Sequence, residues 1–400
     1  MNAEEECEEL LSLTEFEVLS LIAIRSDLHE GPEGVRHFLR EVYRYPGLGT
    51  RKVAQKVGLP LPVAVAVRNE LERIGLCRGK GGIRLSECGR TFVEQKMGIR
   101  VRTNFLCPRC MGSGMIIPHE VETIKQQMLP YFKMRGPPNT TIDQAFATPE
   151  TSLKRAIFVC EHDCIEGRQI IFLGDGDLTS LPITLFGGAR RLTVLDIDPR
   201  VGRILEQFNQ ENSTEIEFVL HDLRNCIPEH LRTQYDVVLT DPPYTLPGAD
   251  LFLLRSLECL KSDTSGSIFL SFVVQSPENA LKLHTIFVEK ELIIQQIIPG
   301  FNIYEGARII GSRSNFYHLV TAPSRREIAP QKYEGKLYTG EIRETFRIYR
   351  CKCNAEIEVG ASSSIPTIEA LKTHGCPTCG AKKGFRMMSR VPFDPPSENK

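Results

Sequence analysis

The chain of 400 residues has no apolar run approaching the roughly 20 residues that a membrane-crossing helix needs, which excludes a helical span. Its first residues are acidic, with Glu4, Glu5, Glu6, Glu8 and Glu9 where a secretory or transit leader would be basic and apolar, so a cytoplasmic location is expected. Outside an oxidising compartment, close pairs among the thirteen cysteines point to metal ligation rather than to disulfides. There is no G-x-G-x-x-G run, which argues against a dinucleotide cofactor. No segment repeats at a fixed period. Net charge is also nearly missing, at −1. That balance conceals an asymmetry, because Val35 to Asn104 holds 15 Lys plus Arg against 5 Asp plus Glu, whereas the preceding 34 residues hold 10 acids and one arginine. A basic module therefore sits inside a balanced chain.

The length exceeds what one core usually serves, and a composition of 41% hydrophobic and 25% charged residues is that of an ordinary soluble protein. Residues 1–34 read as an acidic helical segment. Residues 35–104 follow a helix-turn-helix rhythm: a first helix in "VRHFLREVYRYPG", a short helix turning at Gly58 and Pro60, and an amphipathic helix in "LPVAVAVRNELERIGL". A hairpin with Gly-Gly at its tip and a further helix follow, an order that resembles a winged-helix domain. Residues 105–168 hold a cysteine pair and a linker or lid. Within it, "PETSLKRAIFVCEHD" begins with proline behind a threonine cap, as a helix should.

From Gln169 to about residue 325, strand and helix patterns alternate. "QIIFLG" is an unbroken apolar strand, as in a parallel sheet buried on both faces. "RLTVLDID", "IEFVLHD", "YDVVLTDPPY" and "GSIFLSFVV" follow with helices between them, and "LIIQQIIPGF" and "SNFYHLVTA" read as a final strand pair. The layout is doubly wound α/β. Residues 326–400 form a C-terminal cysteine-bearing module.

Chemistry concentrates at the strand ends. The first strand ends in Gly174-Asp175-Gly176-Asp177, where small residues let a ligand approach the backbone. The second ends in Asp196-Ile197-Asp198, and Asp196 is placed to take both hydroxyls of a ribose. The third ends in His221-Asp222-Leu223, where a carboxylate can accept from an adenine amino group. Single acids after strands are commonly helix caps, but three in series fit an adenosine laid across the sheet edge. The fourth strand ends in Asp241-Pro242-Pro243-Tyr244. Its two prolines stiffen the backbone, Asp241 and a proline carbonyl can accept from an amine N–H, and Tyr244 can pack on a base or a cation. The constellation resembles the class I fold that binds S-adenosylmethionine, in which the fourth strand's end faces the sulfonium carbon. An amine held there is aimed at that carbon, and orientation is the main help such a displacement needs. A nucleobase amine or glutamine amide receiving methyl fits, and so does a polyamine nitrogen receiving a larger group. The polyamine must lose a proton before attack, which favours an acid-rich pocket.

"FLGDGDLTSLPITLFGGARRLTVLDIDPR" together with "DVVLTDPPYT" closely resembles the branched-chain polyamine synthases, which make N4-bis(aminopropyl)spermidine with decarboxylated S-adenosylmethionine. The resemblance covers roughly residues 35–325. It implies aminopropyl transfer to a polyamine such as spermidine, with 5′-methylthioadenosine released. It also implies that Asp177 accepts the proton, that Asp241, Pro242 and Tyr244 hold the amine, and that Asp143 and Gln144 lie over the pocket. The family's signature after the first strand is Gly-Asp-Asp-Asp, so Gly176 stands where it has an acid. The rival expectation is an amino-methyltransferase acting on nucleic acid, and a transcription factor on a degenerate methylase fold is a third.

Cys351, Cys353, Cys376 and Cys379 make a C-x-C…C-x2-C pattern that suits a structural, ribbon-like zinc site. Cys107 and Cys110, with Cys160 and Cys164, make a weaker second candidate. For the basic module, weak contact with phosphates is expected rather than specific nucleic-acid binding. A homodimer stays open.

Overall fold

The computed structural model describes residues 3–79, 81–102, 110, 114–273, 276–305, 313–323, 328–342, 345–360, 363–365 and 368–392. The chain forms two compact units. One comprises residues 1–129, 147–165 and 267–322, and the other residues 130–146, 166–266 and 323–400.

The first unit begins with helices α1 (Ala3–Ser12), α2 (Glu15–Arg25), α3 (Gly31–Arg44), α4 (Thr50–Val57) and α5 (Leu61–Arg73). Strands β1 (Cys77–Arg78) and β2 (Arg84–Leu85) then pair antiparallel, and α6 (Glu87–Thr91) follows. Thr14 caps α2 reciprocally with Glu17, and α4 stops at the left-handed Gly58, the turn expected there. Leu19 and Ile22 of α2, Phe38, Leu39 and Val42 of α3 and Val67 and Leu71 of α5 form one buried core. Each such side chain contributes about 1.5–3 kcal/mol on burial. The acidic segment thus shares its core with the basic helices. Cys7 and Cys88, 81 residues apart, are joined by a disulfide between α1 and α6. Reasoning from close spacing does not reach such a pair, and the preference for metal over disulfides fails at these two residues.

Helix α7 (Glu122–Met134) carries an internal Pro130 that the sequence pattern did not disclose, and α8 (Pro149–Glu161) starts behind the Thr148 cap as expected. Cys107 lies outside the described residues, and with it the second four-cysteine expectation. Cys110 is half-buried, Cys160 is exposed near the end of α8, and Cys164 is buried just beyond it.

The second unit is built on a parallel sheet in the order β5-β4-β3-β6. Its elements are β3 (Gln169–Leu173), α9 (Ser180–Phe186), β4 (Arg191–Asp196), α10 (Pro199–Asn212), β5 (Ile216–Leu220), β6 (Val237–Thr240) and α11 (Leu246–Cys259). β3, β4 and β6 are buried almost throughout, which is why they read as unbroken apolar runs. Returning to the first unit, β7 (Ser267–Phe272), α12 (Pro277–Glu289), β8 (Leu292–Ile303) and β9 (Arg313–Thr321) come next. There β9 pairs antiparallel with both β7 and β8. The strands are therefore a mixture of parallel and antiparallel, not all parallel as in a purely doubly wound sheet. The last stretch, in the second unit, holds α13 (Thr339–Ile342), β10 (Thr345–Arg350), β11 (Glu356–Val359), α14 (Ile368–His374) and β12 (Arg386–Pro392). β10 pairs antiparallel with β11 and β12.

Candidate active site

Register brings the strand-end residues together. Leu173 of β3 stands beside Leu195 of β4 and Thr240 of β6, and Asp196 stands beside Leu220 of β5. Gly174, Asp196, His221 and Asp241 thus leave the carboxyl ends of four adjacent parallel strands, where ligands of open α/β sheets bind. The Gly174 amide donates to the Leu195 carbonyl at 2.8 Å, and its φ of +78° is the left-handed turn that favours glycine.

Asp175 is buried, and its carboxylate accepts from the amides of Thr179 at 2.8 Å and Ser180 at 3.3 Å at the start of α9. Burial, reinforced by neighbouring Asp177, pushes its carboxyl up to about 8, so Asp175 carries its proton at neutral pH. Asp177 is the second acid after β3. It is buried too, at 6% exposure. Gly176 lies close under the 144–146 segment. A Cβ there would stand 3.2 Å from the Gln144 amide nitrogen and 3.4 Å from the Phe146 ring.

Asp196 accepts from the Asp175 amide and the Asp198 amide, both at 2.8 Å, and burial raises its carboxyl to about 6. Each of its two oxygens accepts from a backbone amide. Asp198 caps α10 and pairs with Arg200 at 2.7 Å. Burial alone would raise Asp198, but the Arg200 guanidinium and the Gln144 amide outweigh it and hold the carboxyl below the usual range. Gln144 donates to Asp198 at 3.0 Å and accepts from Arg200 and from the Asn139 amide. Its side chain thus braces the loop over Asp198, a role the sequence did not disclose. A cleft of about 480 Å³ lies here, lined by Pro137, Pro138, Asn139, Ile142, Ile197, Asp198, Pro199 and Arg200.

Asp222 is half-buried and accepts from the Arg224 amide at 2.9 Å. In the Asp241-Pro242-Pro243-Tyr244 turn, the Pro243 carbonyl accepts from the Thr245 amide at 2.7 Å. Among the described residues the Pro242 carbonyl has no partner of that kind. Thr245 caps α11 through the Gly248 amide.

Sequence reasoning missed the segment around α13. The Thr245 hydroxyl donates to the Leu337 carbonyl at 2.7 Å, the Thr339 amide donates to Asp143 at 2.6 Å, and Glu341 pairs with Arg224. Tyr338 is buried, its hydroxyl pushed up to about 12, with the Arg224 guanidinium 5.0 Å from its ring. No local motif marks these residues, because their partners are far away in the chain.

Cys351 and Cys353 sit at the β10–β11 turn, and Cys376 and Cys379 on a second turn after α14. All four Sγ atoms lie within 4.8 Å of one another, with Cys351–Cys379 at 3.6 Å and Cys353–Cys376 at 3.7 Å. The second turn needs Gly375, because a Cβ there would lie 2.6 Å from the Gly380 carbonyl. Four thiolates about 2.3 Å from a tetrahedral zinc stand roughly 3.8 Å apart, so the cluster fits that ion.

Comparison with known proteins gives a consistent picture. The family model of the branched-chain polyamine synthase A C-terminal domain matches residues 123–360. An uncharacterized protein of Methanocaldococcus jannaschii is 36% identical over 380 residues, 94% of each chain. The N(4)-bis(aminopropyl)spermidine synthases of Methanocaldococcus jannaschii and Thermococcus kodakarensis are 29% and 31% identical, each over 61% of this chain and 70% of their own. The branched-chain polyamine synthase of Thermus thermophilus, in complex with N4-aminopropylspermidine and 5′-methylthioadenosine, has a TM-score of 0.65 at 23% identity. That match covers 81% of this chain and 97% of the other. The fold is thus the Rossmann-like α/β fold of that enzyme.

Proposed function

Because the chain belongs to the branched-chain polyamine synthase family, we propose that it transfers an aminopropyl group from decarboxylated S-adenosylmethionine to a secondary amine of a polyamine such as spermidine. The observation that carries the reading is the pairing of β3 with β6, whose neighbouring carboxyl ends lead into the loop that contains Asp177 and into the Asp241-Pro242-Pro243-Tyr244 turn. The amine nitrogen attacks the aminopropyl carbon bound to sulfur. The new C–N bond forms as the C–S bond breaks, and 5′-methylthioadenosine leaves with the electron pair. Asp241 and the Pro242 carbonyl accept from the amine and orient it, Tyr244 packs on the cation, and Asp177 takes the proton. Asp196 holds the ribose and Asp222 the adenine amino group. Gly174, Asp175, Gly176, Ile197 and Leu223 supply the surrounding wall, with Asp175 present as a neutral cap of α9.

Gly176 removes an acid from the family's signature and leaves its space to Gln144 and Phe146. The pocket then carries less negative charge, which supports an acceptor different in charge or length from the one the signature serves. Cys351, Cys353, Cys376 and Cys379 hold one zinc that fixes the two turns. With all four positions filled by protein, that ion has no place for substrate.

The helix order from α3 to α5 with the β1–β2 hairpin supports a winged helix. Its α5 carries Glu70 and Glu72 beside Arg73 and Arg68 and pairs with them, which leaves little for base readout. Contact with nucleic acid is then weak and lost with salt.

The test is mass spectrometry of the products after incubation with spermidine and either decarboxylated or intact S-adenosylmethionine. Aminopropyl additions with the decarboxylated form only are the expected result. A methyl addition with the intact form would refute the reading in favour of the methyltransferase.

A further inference from the structure

Among the described residues, the largest fully buried side chain is a cation. Arg255 of α11 is 0% exposed and pairs with Glu258, 1% exposed, one turn along the same helix. Neither belongs to the strand-end constellation. Most of their remaining bonds run to one loop. Arg255 donates from Nε to the Leu223 carbonyl at 2.8 Å, and from Nη2 to the Arg224 carbonyl at 3.2 Å and the Gln331 carbonyl at 2.8 Å. Glu258 accepts from the Ile227 amide at 3.1 Å. The pair therefore grips the backbone of the loop after β5 at Leu223, Arg224 and Ile227. Within that loop the Arg224 amide donates to the Asp222 carboxylate, and the Asn225 amide to the Asp222 carbonyl, each at 2.9 Å. What fixes Arg224 thus fixes the direction in which Asp222 presents its oxygens.

A buried ion pair is a weak source of stability, since apolar residues of similar volume serve as well or better. Its presence calls for a geometric reason. The guanidinium supplies one, because its planar fork of five donors reaches three carbonyls on two chain segments while keeping a carboxylate partner. The helix matters as well. α11 is capped by Thr245, the residue directly after Tyr244. One rigid element thus begins at the amine-holding turn and ends by holding the adenine loop.

We infer that Arg255 and Glu258 are positioning residues for the nucleotide, setting Asp222 against the adenine relative to the Asp241-Pro242-Pro243-Tyr244 turn. The inference rests on the aminopropyltransferase reading, in which Asp222 receives that adenine.

The experiment measures calorimetric binding of 5′-methylthioadenosine, steady-state kinetics with the donor varied, and thermal melting. It uses the full chain, Arg255→Lys, and the double variant Arg255→Met with Glu258→Leu. Lysine keeps the charge but not the fork. We expect its dissociation constant and donor KM to rise at least about tenfold, with kcat at saturating donor within about threefold of wild type, as loss of ground-state placement requires. The double variant leaves no unpaired charge but takes a partner from the Leu223, Arg224 and Gln331 carbonyls and the Ile227 amide, so it is expected to fold, to melt below wild type, and to bind the nucleotide at least about tenfold more weakly. A double variant that regains both stability and nucleotide affinity would show a structural pair only and overturn the inference. Arg255→Lys with wild-type affinity would do the same. If the wild-type chain itself fails to bind 5′-methylthioadenosine, the functional reading falls and takes the inference with it. Wild-type binding with unaffected variants sinks the inference alone.

Discussion

Replacing Asp175 by asparagine should change the sign of its effect on stability with pH. In the folded protein, burial holds the Asp175 carboxyl near 8, against 3.8 for an ordinary aspartate. Between those values the folded chain keeps a proton that the unfolded chain has released. The contribution of Asp175 is therefore complete below about pH 4 and is lost as pH rises toward 8, at up to about 1.4 kcal/mol per pH unit. Asparagine does not titrate. Its carbonyl can keep the 2.8 Å bond from Thr179 but gives up the longer one from Ser180. An amide left without its partner costs about 1–3 kcal/mol. Asp175→Asn should accordingly be less stable than wild type by about that amount near pH 4. It should gain on wild type by about 1 kcal/mol per unit, draw level between about pH 5 and 7, and be the more stable protein by about 1–3 kcal/mol at pH 8. Urea denaturation at pH 5, 6, 7 and 8 reads the difference directly, and each kcal/mol should appear as roughly 2–4 °C in a parallel melting series. A difference between the two proteins that stays constant across this range would mean that Asp175 is ionised in the fold, and the picture of a neutral cap on α9 would be wrong.

Asp177→Asn keeps the shape but loses most of the basicity. It should lower kcat by about 10²–10⁴-fold with nearly unchanged affinity for 5′-methylthioadenosine; normal turnover would place the base elsewhere. Asp196→Asn should act on the other substrate, raising the nucleotide dissociation constant by about tenfold or more through a lost charge-assisted bond to ribose. Calorimetry showing unchanged affinity would remove Asp196 from the ribose site. Cys351→Ser combined with Cys376→Ser should abolish bound zinc in elemental analysis and loosen residues 345–385 while some polyamine transfer remains. Unchanged zinc content would contradict the four-cysteine assignment.

The strand-end acids, the Asp241-Pro242-Pro243-Tyr244 turn and the C-x-C…C-x2-C spacing were all legible in the chain, and so was the family. Each is a local pattern. A buried parallel strand must be apolar along its length, and the residues just past its carboxyl end lie at the ligand-binding edge whatever the rest of the protein does. Paired cysteines on two tight turns announce a cluster, and the fold needed only to bring the turns within 4.8 Å. The neutral state of Asp175 was not legible, because burial and the α9 amides, not residue type, set its proton affinity. Nor was the bracing role of Gln144, which depends on Asp198 and Arg200 more than fifty residues away. The Cys7–Cys88 bridge, the Asp143–Thr339 bond across 196 residues and the grip of Arg255 on Leu223 and Gln331 were decided only by tertiary structure. Hydrophobic period and motif spacing report on neighbours within a turn or a strand. Which distant side chains meet is settled by how the strands are ordered and where the connecting loops must pass, and a buried polar group takes whatever partner that path delivers.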